Sequence, residues 1–316
     1  MVAIQLTQVS KSYQDTPVIQ ALDLKIPHQQ ITTLIGPSGS GKSTILNMIA
    51  GLQSPTRGQI QFDDQVVFDA QRPVNVAPAE RQLAMVFQDF ALWPHMTVFQ
   101  NVTFALETQY NQAQVKQRAE WALAQVDLAD YGQRYPNELS GGQQQRVSLA
   151  RALAVKPKLI LFDEALSALD PQLRANLQLE IRALIKANHL TAIFVTHDRQ
   201  EALRLSDHVV LIHDGRVVQA GSATDLYQHP VNQFAAEFIG PLNQLDAHHA
   251  IRPEHVTLVD DDDADQEGTV LSTTFVGAYY DTVVQVGPYE WHVNTATAPA
   301  IGATKLKLTR TAIINY

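Results

Sequence analysis

A glycine-rich loop between an apolar strand and a helix constrains the fold of this chain more than any other feature. Residues 31–35 form a short β-branched run, and residues 44–50 have the apolar spacing of a helix that ends at Gly51. The loop between them fits the pattern G-x-x-x-x-G-K-[ST] and contains Gly36, Pro37, Ser38, Gly39, Ser40, Gly41, Lys42 and Ser43, followed by Thr44. A strand, a loop and a helix in this order predict one unit of an α/β fold.

The same loop predicts a binding site for phosphate groups. Its glycines allow successive backbone amides to turn towards one point at the positive end of the helix. The ammonium group of Lys42 can reach the terminal phosphates, and the hydroxyl of Ser43 can bind Mg²⁺. From residue frequencies, the probability that this pattern occurs somewhere in the chain by chance is on the order of 1%. We therefore expect residues 36–44 to bind the phosphates of a nucleotide.

Two further apolar runs predict additional strands of the same sheet. Residues 159–162 and 191–195 are short and continuously apolar, which is typical of strands buried on both faces. Between them, Asp170 is a natural helix cap, and Pro171 suits the first turn of the helix that follows. Buried strands separated by helices predict a parallel sheet that is covered on both faces.

Two carboxylates follow the strand at residues 159–162. Ligands of parallel α/β sheets bind in the crevice at the carboxyl ends of the strands, where Asp163 and Glu164 lie in the sequence. Asp163 would hold Mg²⁺ through its water shell, and Glu164 would orient and deprotonate an attacking water. An isolated Asp-Glu pair more often begins a solvated loop. The phosphate loop earlier in the chain makes the functional interpretation the stronger one.

Two segments outside the predicted parallel sheet indicate further β structure. Residues 1–30 alternate polar and apolar residues and predict an antiparallel hairpin region. Short alternating stretches beyond Gly240 predict a small all-β domain of OB-like type. We therefore predict a first domain at residues 1–240 and a second domain at residues 241–316.

Two other segments have patterns of their own. Residues 90–155 consist mostly of helix-forming sequence, so we predict a helical subdomain there. The acidic run of Asp260 to Asp263, with Asp265, predicts a solvated loop, because consecutive carboxylates do not easily converge on a metal ion.

The composition excludes several classes of protein. The 23 Lys and Arg residues are outnumbered by 32 Asp and Glu residues, and the net charge of -9 argues against a long surface for DNA or RNA phosphates. The chain contains no cysteine, which excludes disulfide bonds, thiol nucleophiles and thiolate zinc sites. No stretch reaches the roughly 18 apolar residues that a membrane span needs. We expect a soluble, cytoplasmic protein that does not bind nucleic acid.

A second potential anion site lies between the phosphate loop and the pair Asp163 and Glu164 in the sequence. Ser140 can cap the helix that follows it, and Gly141 and Gly142 leave bare amides at the positive helix end. The full segment is Leu139-Ser140-Gly141-Gly142-Gln143. At this point the sequence resembles the ATP-binding subunits of ABC transporters. In that family the motif L-S-G-G-Q lies between the phosphate loop and the Asp-Glu strand, as it does here.

The resemblance covers about residues 2–240 and implies a P-loop NTPase cassette. Such a cassette has a RecA-like parallel sheet core, an antiparallel β subdomain and a helical subdomain, and its cofactors are ATP and Mg²⁺. One departure from the family pattern is Ala165, where many relatives have a proline after Asp-Glu. We expect this difference to loosen the loop slightly without removing its chemistry.

The resemblance also implies roles for four further positions. Tyr13 matches the aromatic residue that stacks on adenine, and Gln88 matches the glutamine that reaches Mg²⁺ and the attacking water. His197 matches the histidine that contacts the γ-phosphate, and Asp170 ends the loop 167–170 that crosses between subunits. We expect two copies of the chain to enclose two ATP molecules. Each copy would contribute Ser140, Gly141, Gly142, Gln143 and Asp170 to its partner's site.

The family context implies partners and a location as well. Residues 251–255 look like the entry to the OB-like domain that follows the cassettes of maltose, polyamine, sulfate and ferric iron importers. We therefore expect an importer subunit at the cytoplasmic face of the membrane, with separate permease subunits and, indirectly, a solute-binding protein. Ferric iron or a polyamine is the favoured solute. The ATPase of an exporter, or of a sugar or sulfate importer, stays open as an alternative.

A neutral, aromatic stretch after Gln88 is a candidate site for permease docking. Residues 90–96 read Phe-Ala-Leu-Trp-Pro-His-Met, and exposed apolar surface of this kind usually marks an interface. The alternative interpretation is that this stretch belongs to the core of the helical subdomain.

Overall fold

The computed structural model describes residues 3–260 and 263–316, and it contains two compact units, one ending at Ser222 and one beginning at Ala223. The strands of the first unit are β1 (Ile4–Tyr13), β2 (Thr16–Ile26), β3 (Ile31–Ile35), β4 (Arg57–Phe62), β5 (Gln65–Asp69), β6 (Val74–Asn75), β7 (Leu83–Val86), β8 (Leu159–Asp163), β9 (Thr191–Val195), β10 (His208–His213) and β11 (Arg216–Gly221). Its helices are α1 (Lys42–Ala50), α2 (Val98–Thr103), α3 (Gln112–Gln125), α4 (Gly141–Ala154), α5 (Pro171–Ala187) and α6 (Arg199–Leu205).

The central sheet of the first unit has the strand order β11-β10-β3-β9-β8-β7. All neighbours from β10 to β7 are parallel, and β11 adds an antiparallel edge. The three buried strands predicted from the sequence are confirmed, and every residue of β3 and β9 is buried. Because β3, β8 and β9 are parallel neighbours, their carboxyl ends lie along the same edge of the sheet.

A second sheet, with the order β2-β1-β4-β5-β6, is antiparallel throughout. Its first two strands form the hairpin predicted for residues 1–30, of which residues 1 and 2 lie outside the described part. Its buried face shares one core with the central sheet and α1, and this core includes Leu6, Leu34 and Ile45.

The helices α2, α3 and α4 lie within residues 90–155, for which the sequence predicts a helical subdomain. Thr97, Asn111 and Ser140 cap α2, α3 and α4 by accepting a hydrogen bond from the amide three residues later. The apolar faces of these helices join a core cluster that also contains Phe162 and Phe194, whose rings stack at 4.0 Å.

The second unit begins with two short helices and continues as an all-β structure of OB-like type. Its elements are α7 (Ala223–Gln228), α8 (Gln233–Ile239), β12 (Asn243–Gln244), β13 (His249–Ile251), β14 (Val256–Val259), β15 (Gln266–Phe275), β16 (Tyr280–Val286), β17 (Tyr289–Thr295), β18 (Gly302–Leu308) and β19 (Ile314–Asn315). They form a five-stranded antiparallel sheet, β14-β18-β15-β16-β17, and a small sheet, β12-β13-β19. The indole of Trp291, 1% exposed, lies in its core. The domain boundary at residue 240 stays a prediction.

The acidic run differs in part from the solvated loop predicted for it. Asp261 and Asp262 lie outside the described residues. The side chain of Asp265 is only 9% exposed, and it accepts hydrogen bonds from the amide of Leu308 and from the guanidinium of Arg310. Asp265 therefore fixes the end of β18, because its carboxylate satisfies a backbone amide. None of the helices described between residues 3 and 316 is long and apolar enough to cross a membrane.

Candidate functional site

The phosphate loop connects the carboxyl end of β3 to the start of α1. Gly36, Gly39 and Gly41 all have positive φ angles, of 152°, 81° and 99°. A Cβ atom at Gly36 would lie 2.0 Å from the carbonyl oxygen of Ile212, so the close approach of β10 admits only glycine there. The strand, loop and helix follow one another as predicted, and the amides at the start of α1 border the loop.

Lys42 is buried within this loop, with 6% of its surface exposed. Its ammonium group donates hydrogen bonds to the carbonyl oxygens of Gly36 at 2.9 Å and of Pro37 at 2.8 Å. Burial lowers the pKa of Lys42, and the negative charge of Glu164 opposes that change. The loop therefore presents a partly desolvated cation, which a phosphate group would stabilise.

Ser43 and Asp163 meet at the junction of the loop and β8. The hydroxyl of Ser43 donates a hydrogen bond of 3.0 Å to Oδ1 of Asp163. Burial raises the pKa of Asp163; the hydrogen bond from Ser43 opposes this shift, and the nearby charge of Glu164 adds to it. A bound cation would stabilise the charged form of this buried carboxylate.

A cavity of about 660 Å³ opens over these residues. Its walls are formed by Ser43, Phe87, Gln88, Asp89, Asp163, Glu164 and Ala168. It therefore brings together four residues that the sequence analysis assigned to Mg²⁺ or water. Gln88 lies two residues after the end of β7, and its side chain is exposed.

The donor set of this cavity fits Mg²⁺. The hydroxyl of Ser43, the carboxylate of Asp163 and the amide oxygen of Gln88 are hard oxygen ligands, and Mg²⁺ typically takes few protein ligands together with phosphate oxygens and water. Across residues 3–260 and 263–316, no group of three or more His, Cys, Asp or Glu side chains could hold a metal ion. A magnesium ion here would consequently depend on the phosphates of the nucleotide.

Glu164 lies beside His197 over the ends of β8 and β9. Its backbone is left-handed, with a φ of 47°, and its amide donates to the carbonyl oxygen of Val195 at 3.1 Å. Its own carbonyl oxygen accepts hydrogen bonds from the amide and hydroxyl of Ser167. Oε1 of Glu164 lies 3.5 Å from Nδ1 of His197. A left-handed residue other than glycine is strained, so these contacts are what hold Glu164 in place.

Tyr13, at the end of β1, is not among the described residues that line the cavity. Its ring is 45% exposed, and its hydroxyl donates a hydrogen bond of 2.5 Å to Oε1 of Gln53. The ammonium group of Lys11 lies 5.1 Å from the ring centroid. An exposed ring that is fixed at its hydroxyl offers a surface on which a base can stack.

The start of α4 contains the segment for which the sequence predicts a second anion site. Oγ of Ser140 accepts a hydrogen bond from the amide of Gln143 at 3.3 Å, and Oε1 of Gln143 accepts one from the amide of Ser140 at 2.9 Å. This capping box leaves the amides of Gly141 and Gly142 at the positive helix end. The described walls of the cavity include no residue of this segment.

The loop 167–170 is held by an arginine that the sequence analysis did not identify. Asp170 caps α5, and Arg174 lies one turn further along the same helix. The guanidinium of Arg174 donates to the carbonyl oxygens of Ser167 at 3.1 Å and Leu169 at 2.9 Å, and to Oδ2 of Asp198 at 3.3 Å. Its only signal in the sequence is its position four residues after the cap, which many arginines share.

The candidate docking segment at residues 90–96 is ordered by one buried amide. Asn101 is fully buried; its Oδ1 accepts from the amide of Trp93 at 2.8 Å, and its Nδ2 donates to the carbonyl oxygens of Trp93 and Met96, both at 3.1 Å. The ring of Trp93 packs on that of Phe104 at 4.3 Å, and Phe104 is 47% exposed. Trp93 and Met96 are half-buried, so the segment belongs partly to the core and partly to the surface.

Comparisons with known proteins identify the family of this chain. The ABC transporter family matches residues 19–167, and the TOBE domain matches residues 249–302. The chain is 38% identical to the Fe(3+) ions import ATP-binding protein FbpC of Escherichia coli O157:H7, over 92% of this chain and 88% of that protein. It is 36% identical to the spermidine/putrescine import ATP-binding protein PotA of Clostridium novyi (strain NT), over 95% and 93% of the two chains.

Two solved structures share the fold of about two thirds of this chain. One is the dimeric structure of MJ0796, a bacterial ABC transporter cassette, which is 32% identical, with a TM-score of 0.60, over 69% of this chain and 98% of that chain. The other is the same cassette in a post-hydrolysis state bound to ADP and Pi, which is 31% identical, with a TM-score of 0.59 and the same coverage. Together with the motifs and their geometry, these similarities identify the chain. It belongs to the ABC transporter family, as an ATP-binding and ATP-hydrolysing subunit of the importer type with a C-terminal TOBE domain.

Proposed function

We propose that this chain works as a dimer in which each ATP is held between the phosphate loop of one copy and the start of α4 of the other. The observation that carries the proposal is that, within one copy, the predicted catalytic residues and the start of α4 do not line the same cavity. Gln88, Asp163 and Glu164 share a cavity, and the described walls of that cavity include no residue of the segment 140–143. A second copy can supply the missing half. The dimeric form of the MJ0796 cassette supports this arrangement.

In each composite site, the loop 36–44 would bind the phosphates through its amides. Lys42 would exchange its hydrogen bonds to two loop carbonyls for bonds to phosphate oxygens, which removes the penalty of its burial. Tyr13 would stack on the adenine ring.

The residues of the cavity are suited to the hydrolysis step. Mg²⁺ held by Ser43, Asp163 and Gln88 would neutralise charge on the phosphates. Glu164 would take the proton of the attacking water, and His197, 3.5 Å from Glu164, would donate a hydrogen bond to the γ-phosphate. The contacts that fix the strained backbone of Glu164 keep its carboxylate in position before the nucleotide binds.

The second copy would contribute mainly backbone groups. Because the side chain of Gln143 already completes the capping box, the amides of Gly141 and Gly142 and the hydroxyl of Ser140 are the groups left to meet the γ-phosphate. Asp170 of the loop 167–170 would also approach the neighbouring site.

This motor would drive import through separate permease subunits at the cytoplasmic face of the membrane, with a solute-binding protein as an indirect partner. The relatives named for Fe(3+) and for spermidine and putrescine import support ferric iron or a polyamine as the solute. Uptake assays on a strain that lacks the gene, with labelled iron, putrescine, sulfate and maltose, test this choice. A loss of iron or putrescine uptake is expected. A loss of only sulfate or maltose uptake would contradict it, and unchanged uptake of all four would favour an exporter.

The dimer is tested with Glu164→Gln. This variant should bind ATP and accumulate as a closed dimer without turnover, because the water lacks its base. Size-exclusion chromatography with ATP and phosphate-release assays measure the two properties. Glu80→Gln, at an exposed carboxylate outside the cavity, is the control and should behave as wild type. Normal turnover by Glu164→Gln, or a monomer with ATP bound, would contradict the proposal.

Permease docking is tested with the double variant Trp93→Ala, Met96→Ala. It should keep ATP hydrolysis in the isolated protein and lose co-purification with the permease. Leu179→Ala, at a 64% exposed apolar residue of α5, is the matched control and should co-purify normally. Unchanged co-purification of the double variant would reject the segment 90–96 as the docking site.

A further inference from the structure

The segment directly after Gln88 has an unfavourable backbone conformation. Phe90 and Ala91 both have left-handed backbones, with φ angles of 59° and 46°. Two consecutive left-handed residues other than glycine are strained, and they persist only where surrounding contacts hold them. The segment therefore depends on an external contact.

That contact is the guanidinium group of Arg151. Its Nη2 donates a hydrogen bond of 3.0 Å to the carbonyl oxygen of Phe90, and its Nη1 donates one of 2.5 Å to that of Ala91. The ring of Trp93 lies 5.3 Å from the guanidinium carbon. A charged fork with two parallel hydrogen bonds is a strong and directional clamp in partly buried surroundings.

Arg151 is also connected to the second anion site. It lies in the last turn of α4, whose first turn is capped by Ser140. This helix has 14 residues and is therefore a stiff rod of about 21 Å. A movement of Ser140 with α4 would be transmitted by the guanidinium to the carbonyls of Phe90 and Ala91.

We propose that Arg151 is a positioning residue for Gln88. By holding the carbonyl groups of the two strained residues Phe90 and Ala91, it keeps Gln88 directed into the cavity with Ser43 and Asp163. It also makes the position of Gln88 follow the position of α4. This inference rests on the proposed role of Gln88 in hydrolysis.

The first test is the variant Arg151→Met. Misplacement of Gln88 should lower kcat on the order of tenfold, while the Kd for ATP changes less than about twofold. Arg118→Met is the matched control: Arg118 also donates to a carbonyl oxygen, that of Ala154, and stacks on Tyr110 at 3.9 Å. Because its described hydrogen bond and ring contact do not involve the segment 89–91, this control should keep wild-type kcat. A wild-type kcat for Arg151→Met, or an equal loss in Arg118→Met, would overturn the inference.

The second test is rescue by glycine. Glycine adopts a left-handed backbone without strain, so Ala91→Gly added to Arg151→Met should return kcat to within about threefold of wild type. A purely structural role of Arg151 in packing would not be rescued in this way, and a failure of rescue would overturn the inference. If Arg151→Met does not fold, Arg151→Lys, which keeps a cation at this position, is used for both measurements.

Gln88→Ala separates this inference from the function on which it rests. If Gln88→Ala keeps wild-type kcat, the proposed role of Gln88 is wrong. If Gln88→Ala lowers kcat and Arg151→Met does not, the role of Gln88 stands and that of Arg151 falls. In the double variant we expect the kcat of Gln88→Ala alone, because both changes remove the same interaction. A further loss in the double variant would contradict positioning through Gln88.

Discussion

The hydroxyl of Ser43 donates a 3.0 Å hydrogen bond to Oδ1 of Asp163, across 120 residues of sequence. This contact joins the phosphate loop to the carboxyl end of β8. It places two oxygen ligands side by side in a cavity where burial raises the pKa of Asp163. Burial disfavours the charged form of Asp163, and Ser43 offers a second oxygen ligand beside it. Both features favour the binding of a divalent cation between the protein and the phosphates.

Asp163→Asn should separate stability from activity. The raised pKa means that the folded protein binds more protons than the unfolded chain between pH 3.8 and the raised value, so stability falls as pH rises through this window and stays lowered at neutral pH. An asparagine removes that charge and can still accept the hydrogen bond from Ser43. We expect a Tm without nucleotide at neutral pH that is equal to or above that of wild type, and a kcat lower on the order of 100-fold.

Calorimetry without nucleotide and ATPase assays over a series of Mg²⁺ concentrations measure these effects. Asp64→Asn, at an exposed carboxylate in the turn between β4 and β5, is the control and should change neither property. If Asp163→Asn lowers the Tm without nucleotide and leaves the Mg²⁺ dependence unchanged, the carboxylate is a structural group.

Lys42 should make the protein without nucleotide more stable as pH rises towards 10.5. Burial lowers its pKa, so between the lowered value and 10.5 the unfolded chain binds more protons than the folded protein. Stability therefore increases with pH through this window. Lys42→Met lacks this ionisable group, and the free energy of unfolding of wild type should rise relative to that of Lys42→Met as the pH approaches 10.5.

Phosphate binding should reverse the pKa shift of Lys42, because the negative charges favour the ammonium form. ATP binding at alkaline pH should then take up protons. Titration calorimetry in two buffers of different ionisation enthalpy measures this uptake. If proton uptake is the same in wild type and Lys42→Met, Lys42 does not contact the phosphates.

The sequence predicted the parts of the site that depend on local backbone geometry. The glycines of the phosphate loop, the capping Ser140 and the pair Asp163 and Glu164 each follow from a turn, a helix end or a strand end. The strands β3, β8 and β9 were found because their sequences are short runs of apolar and β-branched residues. In contrast, β7 has only four residues, and β17 is half polar, so neither has a distinctive pattern.

The contacts that hold the site together could not be predicted in the same way. Arg151 reaches a carbonyl 60 residues away, and Tyr13 is fixed by Gln53, 40 residues away. Such pairs depend on how separate elements pack, and a single arginine or glutamine in the sequence carries no sign of its partner. The left-handed backbones of Phe90, Ala91 and Glu164 could not be predicted either, because none of these residue types favours that conformation.

Arg174 should affect turnover through the loop 167–170. Its guanidinium holds the carbonyls of Ser167 and Leu169 and also contacts Asp198, which follows His197. Arg174→Met leaves these oxygens without a charged donor and should destabilise the protein by about 1–3 kcal/mol. We expect kcat to fall on the order of tenfold, because both the loop 167–170 and His197 lose a fixed position.

Steady-state kinetics and the ATP-dependent dimerisation constant in the Glu164→Gln background measure this effect. Arg182→Met is the matched control, since Arg182 lies on the same helix and binds the carbonyl of Leu205 and the carboxylate of Asp207. The control should lose comparable stability and keep its kcat and dimerisation constant. Equal kinetic losses in both variants would mean that Arg174 acts only through the stability of α5.

Arg252 organises the start of the second unit. It is 1% exposed, and its guanidinium donates to the carbonyl oxygens of Ala236 and Gly240 at 2.8 Å, of Pro241 at 3.0 Å and of Tyr227 at 3.1 Å. These carbonyls belong to α7, α8 and the segment directly after α8. Arg252→Met would leave them buried without a charged donor, and we expect a loss of about 3 kcal/mol in the stability of this unit.

Arg252→Lys should lose less stability than Arg252→Met, because an ammonium group can donate to some of these carbonyls but cannot match the planar fork. Amide hydrogen exchange of peptides from residues 223–241 measures the effect, and it should be fastest in Arg252→Met. Arg310→Met is the control: Arg310 is 78% exposed and pairs with Asp265, which lies outside residues 223–241, so its loss should change exchange little in that segment. If Arg252→Met exchanges like wild type in α7 and α8, the carbonyls find water or other donors, and the guanidinium is not what holds the two helices to the β structure that follows.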